Sequence, residues 1–97
     1  MKQARFDAII HAPNRLQICA FLAPLEEAEF QVLRDQLNVS DSVLSKHIKQ
    51  LEQAGYLKQR KAKMGSRQRT WLCLLASGRK AFEQHVEELK RLANILN

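Results

Sequence analysis

The apolar residues of this 97-residue chain change their spacing at Gly55, and that change limits the folds the chain can adopt. Before Gly55, apolar residues recur at the helical positions i, i+4 and i+7, which predicts a helix over 41–54 that the glycine terminates. After it, the segments 56–61 and 68–74 have the composition of strands, and Gly65 lies in the tip between them. The centre of the chain is therefore predicted to be a helix followed by a β-hairpin.

Helical spacing of apolar residues also predicts four further helices around this unit. Pro13 suits the first turn of one of them, and Asn38 tolerates the left-handed backbone that closes another. Ser40 or Asp41 is expected to cap the central helix, and Ser77 the last one. The four helices are expected at 5–11, 14–23, 30–37 and 77–96. A chain of this length without a linker is predicted to be one domain, 1–97, mainly α with a small β-hairpin.

The net charge of +6 is concentrated in one part of the chain. Residues 41–70 carry eight basic and two acidic side chains, whereas the rest of the chain is neutral in sum. Six of the basic residues belong to the hairpin and have no acidic residue between them: Lys58, Arg60, Lys61, Lys63, Arg67 and Arg69. A field of one sign concentrated in this way favours a polyanionic partner, most commonly a nucleic acid.

The helices over 30–37 and 41–54, joined by the turn 38–40, have the arrangement of a helix-turn-helix. In that motif the second helix enters the major groove with its N-terminal part against the base edges. Short hydroxyl side chains permit a close approach there, and lysines neutralise phosphates or reach guanine acceptors. The second helix presents such residues opposite its apolar stripe of Leu44, Ile48 and Leu51. The expected DNA contacts of this helix are Ser42, Ser45, Lys46 and Lys49.

The basic hairpin follows directly and is the second candidate DNA contact. A hairpin free in solvent would usually mix both signs of charge to limit self-repulsion, so its six like charges indicate a partner that compensates them. The DNA backbone would do so, as would a minor groove, where arginine is favoured. The hairpin residues expected to contact DNA are Arg60, Lys61, Lys63, Arg67 and Arg69.

Four segments carry recognisable motifs in a fixed order, and they lie at 11–18, 37–48, 51–57 and 74–79. The third, Leu-Glu-Gln-Ala-Gly-Tyr-Leu, is the most diagnostic. Together they resemble a winged-helix transcriptional regulator of the MarR/ArsR-like kind, although Leu75 stands where that family usually has a threonine cap. The resemblance implies a winged helix-turn-helix, binding to double-stranded DNA, a wing on the backbone or minor groove, and dimerisation through terminal helices.

The terminal helices, at about 3–12 and 77–96, are expected to hold a homodimer. The apolar stripe of the last helix runs for nearly four turns, and its distal half has no obvious partner in so small a core. A two-fold axis would place two recognition helices about 34 Å apart on an inverted repeat. The predicted interface consists of Phe6, Ile9, Ile10, Phe82, Val86, Leu89, Leu92 and Leu96.

These observations predict a homodimeric, sequence-specific DNA-binding protein that regulates transcription, with repression as the favoured role and activation as the alternative. An enzyme is not expected, because the sequence has no acid–base pair, nucleophile elbow or glycine-rich phosphate loop. Two alternatives stay open: a winged helix that docks its basic wing on an acidic protein, and a nonspecific nucleic-acid binder.

No cofactor and no metal is expected, because Cys19 and Cys73 are too far apart for a Cys-x-x-Cys site and are typical of small core residues with free thiols. His47 is expected to be half-buried, hydrogen-bonded and important for the orientation of the recognition helix. Trp71 is expected to pack on the last helix or on a partner subunit.

Without a long apolar run or an export signal, no membrane partner is expected and the cytoplasm is the expected location. The sequence does not identify a small-molecule effector.

Overall fold

The computed structural model describes residues 6–96, and this part contains five helices and a three-stranded antiparallel sheet. In chain order the elements are α1 Ala8–His11, α2 Pro13–Leu22, β1 Ala28–Glu29, α3 Phe30–Leu37, α4 Asp41–Gln53, β2 Leu57–Met64, β3 Arg67–Leu74 and α5 Ala76–Leu96. The strand order is β1-β3-β2. This is a winged helix, mainly α with one small sheet, so the predicted fold class is confirmed. No described helix is both long and apolar enough to cross a membrane.

Local signals determine where the helices begin and end. Asp7 accepts hydrogen bonds from two backbone N–H groups of the first turn at 2.8 and 3.1 Å. Because of this cap, α1 begins at Ala8, and the expectation that residues 6 and 7 are already helical is wrong. Asn38 has the left-handed backbone predicted for it, with φ of 55°, and closes α3. Ser40 caps α4 by accepting from the N–H of Val43 at 3.2 Å.

One hydrophobic core lies between the helices and the base of the sheet. The apolar stripe of α4 is buried as predicted, since Leu44, Ile48 and Leu51 are at most 1% exposed. Residues from the other helices and strands fill the rest of this core: Ile10, Ile18, Cys19, Leu22, Leu33, Leu57 and Leu72. Burial of one such aliphatic side chain is worth about 1.5–3 kcal/mol, so the stripe fixes which side of α4 faces solvent.

The hairpin of β2 and β3 is longer and its tip shorter than the sequence predicts. The two strands pair without interruption from Leu57 opposite Leu74 to Met64 opposite Arg67. Gly65, with φ of 68°, is the first of only two turn residues, which is the position of glycine in a type II′ turn. The predicted six-residue tip is therefore wrong, because a two-residue turn lets the polar segments beside it pair as strands.

The start of α5 is packed closely against the exit of α4. Ser77, predicted to cap this helix, instead lies in its first turn and donates a hydrogen bond from Oγ to the backbone carbonyl of Gly55. Gly78 lies directly over the backbone of Tyr56, so close that a Cβ atom there would be 2.2 Å from the carbonyl oxygen. Only glycine fits at this crossing. The whole of α5 is 21 residues long, about 32 Å.

Candidate nucleic-acid interface

The two helices of the helix-turn-helix are tied together on their solvent side by an arginine. Arg34 of α3 donates from Nη1 to Asp41 at 2.8 Å and from Nε to Asp35 at 3.2 Å. These two carboxylates raise the pKa of Arg34 above its ordinary value. The ion pair of Arg34 with Asp41 also offsets the negative charge of Asp41, which stands at the positive N-terminal end of the α4 dipole. The carboxylate of Asp41, the residue before Ser42, is thus already paired.

The exposed face of α4 carries the residues expected to contact DNA. All four are exposed and lie opposite the buried stripe: Ser42, Ser45, Lys46 and Lys49. Ser42 lies within 3.2 Å of the capping Ser40, oxygen to oxygen. The two lysines form no ion pair with any described residue, so their charges are available to an anion.

The side of α4 next to α2 carries a polar cluster centred on His47. This histidine is half-buried, with Nδ1 3.2 Å from Nη1 of Arg15 and Nε2 3.3 Å from the side-chain nitrogen of Asn14. The expectation of a half-buried, hydrogen-bonded His47 is confirmed. Sequence reasoning missed Arg15, which lay inside a motif taken as core. The signal that could have found it is a basic residue in an otherwise uncharged helix.

The strand pleat divides the wing, β2 with β3, into two faces, because successive side chains point to opposite sides. Leu57 begins one face in the core, and Gln59 continues it by donating from Nε2 to Glu52 of α4 at 3.1 Å. Lys61 and Lys63 extend this face toward the tip and are exposed. We call Gln59, Lys61 and Lys63 the lysine face. It starts beside α4, and neither lysine is paired with a described carboxylate.

The opposite side of the wing carries Arg60, Arg67, Arg69 and Trp71, which we call the arginine face, and also the exposed Lys58 near its base. Pairing of β1 with β3 brings a glutamate beside it, because Glu29 lies opposite Trp71. The Nη1 atom of Arg69 donates to both carboxylate oxygens of Glu29, at 2.8 and 2.9 Å. This hairpin charge, which was expected to need an external partner, therefore has an internal one.

Arg60 is held by a second glutamate and by the wing tryptophan. It forms a two-pronged contact with Glu27, at 2.6 Å from Nη2 and 3.3 Å from Nε, which raises the pKa of the guanidinium. Its guanidinium carbon lies 5.8 Å from the centroid of the Trp71 ring, within cation–π range. Trp71 is expected to pack on the last helix or on a partner subunit, and the structure places a wing arginine over its ring. Arg67 at the tip has no ion pair with a described residue.

The residues predicted for a dimer interface lie on α5 and at the start of the chain, with unequal exposure. Leu89 is 37% exposed, and Phe6, Ile9, Phe82, Val86 and Leu92 are half-buried. Ile10 is fully buried within the chain's own core, so its inclusion in a contact surface is corrected. Residues 3–5 of the predicted helix at 3–12 and the side chain of Leu96 lie outside the described part.

Three comparisons relate this chain to known proteins. The sequence profile of a family described as "Winged helix DNA-binding domain" matches residues 14–93. An uncharacterized protein of Methanocaldococcus jannaschii, MJ0432, is 33% identical over 85 residues, which is 88% of this chain and 92% of that protein.

Solved structures show the same fold. A transcriptional regulator homologue from Pyrococcus horikoshii OT3 superposes with a TM-score of 0.86 at 29% identity, over 92% of this chain and 88% of that one. HlyU from Vibrio cholerae N16961 superposes with a TM-score of 0.66 at 26% identity, over 87% and 83% of the two chains. With most of its length matched by the profile, the chain belongs to the winged helix DNA-binding domain family, whose members are regulators of transcription and not enzymes.

Proposed function

We propose that this protein binds double-stranded DNA sequence-specifically as a homodimer and represses transcription, as a regulator of the MarR/ArsR-like kind. The observation that carries the proposal is the exposed face of α4, where Ser42, Ser45, Lys46 and Lys49 stand opposite a fully buried stripe. A helix presented in this way can enter the major groove with its serines and lysines toward the bases. The cytoplasmic location expected from the sequence stays a prediction.

The two basic elements would divide the work of binding. Ser45 and Lys46 of α4 would meet base edges, where one good contact discriminates by about 1–3 kcal/mol between bases. Lys61 and Lys63 of the wing would neutralise phosphates, which fixes position without reading sequence. The wing therefore supplies affinity that depends on salt, and the helix supplies preference for a sequence.

Selection of bound sites from a random pool of duplexes tests the proposal most directly. A homodimer of this shape is expected to enrich an inverted repeat whose half-sites are about one helical turn apart. With about six to eight phosphates neutralised per dimer, log K against log salt should have a slope of roughly −5 to −7. Equal binding of all duplexes would favour a nonspecific binder. A slope shallower than about −2 would favour docking on an acidic protein.

Repression itself is tested by placing the selected site within a reporter promoter. Activation of the reporter would contradict the proposed role as a repressor.

The dimer depends on the exposed half of α5. Placing carboxylates in the stripe by Leu89→Glu with Leu92→Glu should split the dimer, because charges without partners would be buried at the interface. Specific binding should fall steeply while the helix-turn-helix stays folded. Light scattering and titration of the selected site measure both effects.

The matched control is Gln84→Glu with Asn94→Glu, which adds the same charge at exposed positions of α5 outside the stripe. This variant should remain dimeric. A wild-type protein that is monomeric at tens of micromolar, a typical working concentration, or a stripe variant that binds normally, would remove the dimer from the proposal.

A further inference from the structure

A single arginine behind the recognition helix joins three helices. Arg15 of α2 donates from Nε to the backbone carbonyl of Ile9 in α1 at 2.5 Å. Its Nη1 donates to Nδ1 of His47 at 3.2 Å and to Oε1 of Gln50, both in α4. The side chain is half-buried and pairs with no described carboxylate. All its described hydrogen bonds therefore go to neutral acceptors on neighbouring helices.

We propose that Arg15 is a positioning residue for sequence-specific DNA binding, holding α4 in its reading orientation through His47 and Gln50. This inference rests on the proposed function. The two residues it holds are the immediate neighbours of Lys46 and Lys49, so a small rotation of α4 about its axis would move both lysines. The apolar stripe restrains the depth of α4, and hydrogen bonds restrain its rotation more sharply because they are directional. The planar guanidinium presents several donors in a fixed fork, which suits it to this task.

The contact between Arg15 and His47 requires a neutral histidine. Guanidinium nitrogens only donate, so Nδ1 of His47 must accept and the ring proton must be on Nε2. Nε2 then donates to the side chain of Asn14, which must turn its amide oxygen, rather than its nitrogen, toward the ring. The Arg15 clamp, meaning the contacts of Arg15 with His47 and Gln50, thus assigns one tautomer.

Protonation of His47 would break the Arg15 clamp, because both ring nitrogens would then donate. Burial lowers the pKa of His47 below 6.5, and the nearby charges of Arg15 and Lys46 lower it further. The other groups that face the ring, Asn14 of α2 and Gln50 of α4, are uncharged. The ring is therefore neutral at pH 7, and the clamp is lost as the pH falls from the ordinary histidine value of about 6.5 toward about 5.

Arg15→Lys is the first test, because lysine keeps the charge but lacks the fork. The measured quantity is the ratio of affinity for the selected duplex to affinity for a scrambled duplex. We expect this ratio to fall about tenfold, the effect of losing one hydrogen bond to a charged group, with little change for the scrambled duplex. The control is Arg79→Lys, because Arg79 also donates to a backbone carbonyl, that of Ala23, but contacts neither His47 nor Gln50. Equal ratios for Arg15→Lys and wild type would overturn the proposal.

His47→Asn is the second test and does not depend on the stability of the first variant. Asparagine offers an oxygen near the place of Nδ1 but does not titrate. Between about pH 8 and pH 5 the discrimination ratio of the wild type should fall, and that of His47→Asn should stay constant. His11→Asn removes an exposed histidine and should retain the wild-type response. A pH response that survives in His47→Asn would overturn the proposal.

The tautomer of His47 supplies a measurement that needs no DNA. Nitrogen NMR of the free protein at neutral pH should show the proton on Nε2. A proton on Nδ1 would overturn the Arg15 clamp even if DNA binding is specific. Conversely, an Nε2 tautomer in a protein that prefers no duplex would contradict the proposed function and the positioning role that rests on it.

Discussion

The two faces of the wing differ in what surrounds their cations. On the lysine face, Lys61 and Lys63 are exposed and have no described ionic partner, and the face begins against α4. On the arginine face, Arg60 and Arg69 are occupied by the glutamates at and just before β1. The number of cations in the hairpin sequence is therefore larger than the number free to meet phosphates.

The difference follows from the alternation of side chains along the strands. A two-residue strand, Ala28–Glu29, is enough to bring carboxylates to one face, because it pairs with β3 at Trp71 and Leu72. The lysine face receives no such strand. Two arginines of one face are thus held in ion pairs, whereas both lysines of the other face are free to bind an anion.

The largest effect is expected from removal of the free cations. Lys61→Ala with Lys63→Ala should weaken binding to all duplexes to a similar extent and make the salt slope shallower by about 0.9 for each phosphate that is no longer neutralised. Titrations at several salt concentrations measure this. Lys46→Ala is the matched comparison in α4, and it should instead change which sequence is preferred. If the wing variant keeps the wild-type slope, the lysine face does not bind the DNA backbone.

A smaller effect of opposite sign is expected when the arginines are released. Glu27→Gln with Glu29→Gln removes the paired carboxylates, so Arg60 and Arg69 become available to phosphates and the salt slope should steepen by up to about 0.9 for each additional phosphate neutralised. Glu83→Gln with Glu87→Gln makes the same change of charge on α5 and should act only through long-range electrostatics. Identical slopes for the two double variants would mean that the arginines do not reach DNA even when free.

The smallest effect concerns stability and separates two arginines of one face. Arg69→Ala leaves Glu29, only 12% exposed at its side chain, without its partner, and should lower the free energy of unfolding by about 1 kcal/mol. Arg67→Ala, at the exposed tip, should leave that free energy unchanged but make the salt slope shallower by about one. Urea unfolding and DNA titration of both variants measure the contrast. If Arg67→Ala lowered the free energy of unfolding and Arg69→Ala changed only the salt slope, the roles assigned to these two residues would be wrong.

The sequence predicts those parts of the molecule that short-range signals determine. Asn38, Ser40 and Gly55 each act within one turn of the chain, and the helix ends beside them are where the sequence places them. The same holds for the buried stripe of α4, since its spacing alone sets the face. These signals are enough to predict the helix-turn-helix, the hairpin and the exposed candidates on α4, and the resemblance of the four motif segments implies the winged helix.

The missed ion pair of Arg69 and the missed contacts of Arg15 depend on partners that are distant in sequence. Glu29 and Arg69 are 40 residues apart, and Arg15 and Gln50 are 35 apart. Without the register of β1 on β3, nothing in the sequence pairs the first two. The length of the wing strands was missed because Lys63 and Met64 have little intrinsic preference for a strand, and only the two-residue turn aligns them.

The close crossing of Gly78 over Tyr56 fixes the direction of α5 at a single point, which lies at the base of the wing. A side chain at Gly78 would have to move from 2.2 Å to a tolerable 3.0–3.4 Å from the Tyr56 carbonyl, a displacement of about 1 Å. The helix runs some 27 Å beyond this crossing, so a small tilt of its axis at Gly78 displaces its far end by a larger distance. If two copies join through that end, each copy contributes its own displacement of α5. The distance between the two copies of α4 then depends in part on the absence of a Cβ atom at Gly78.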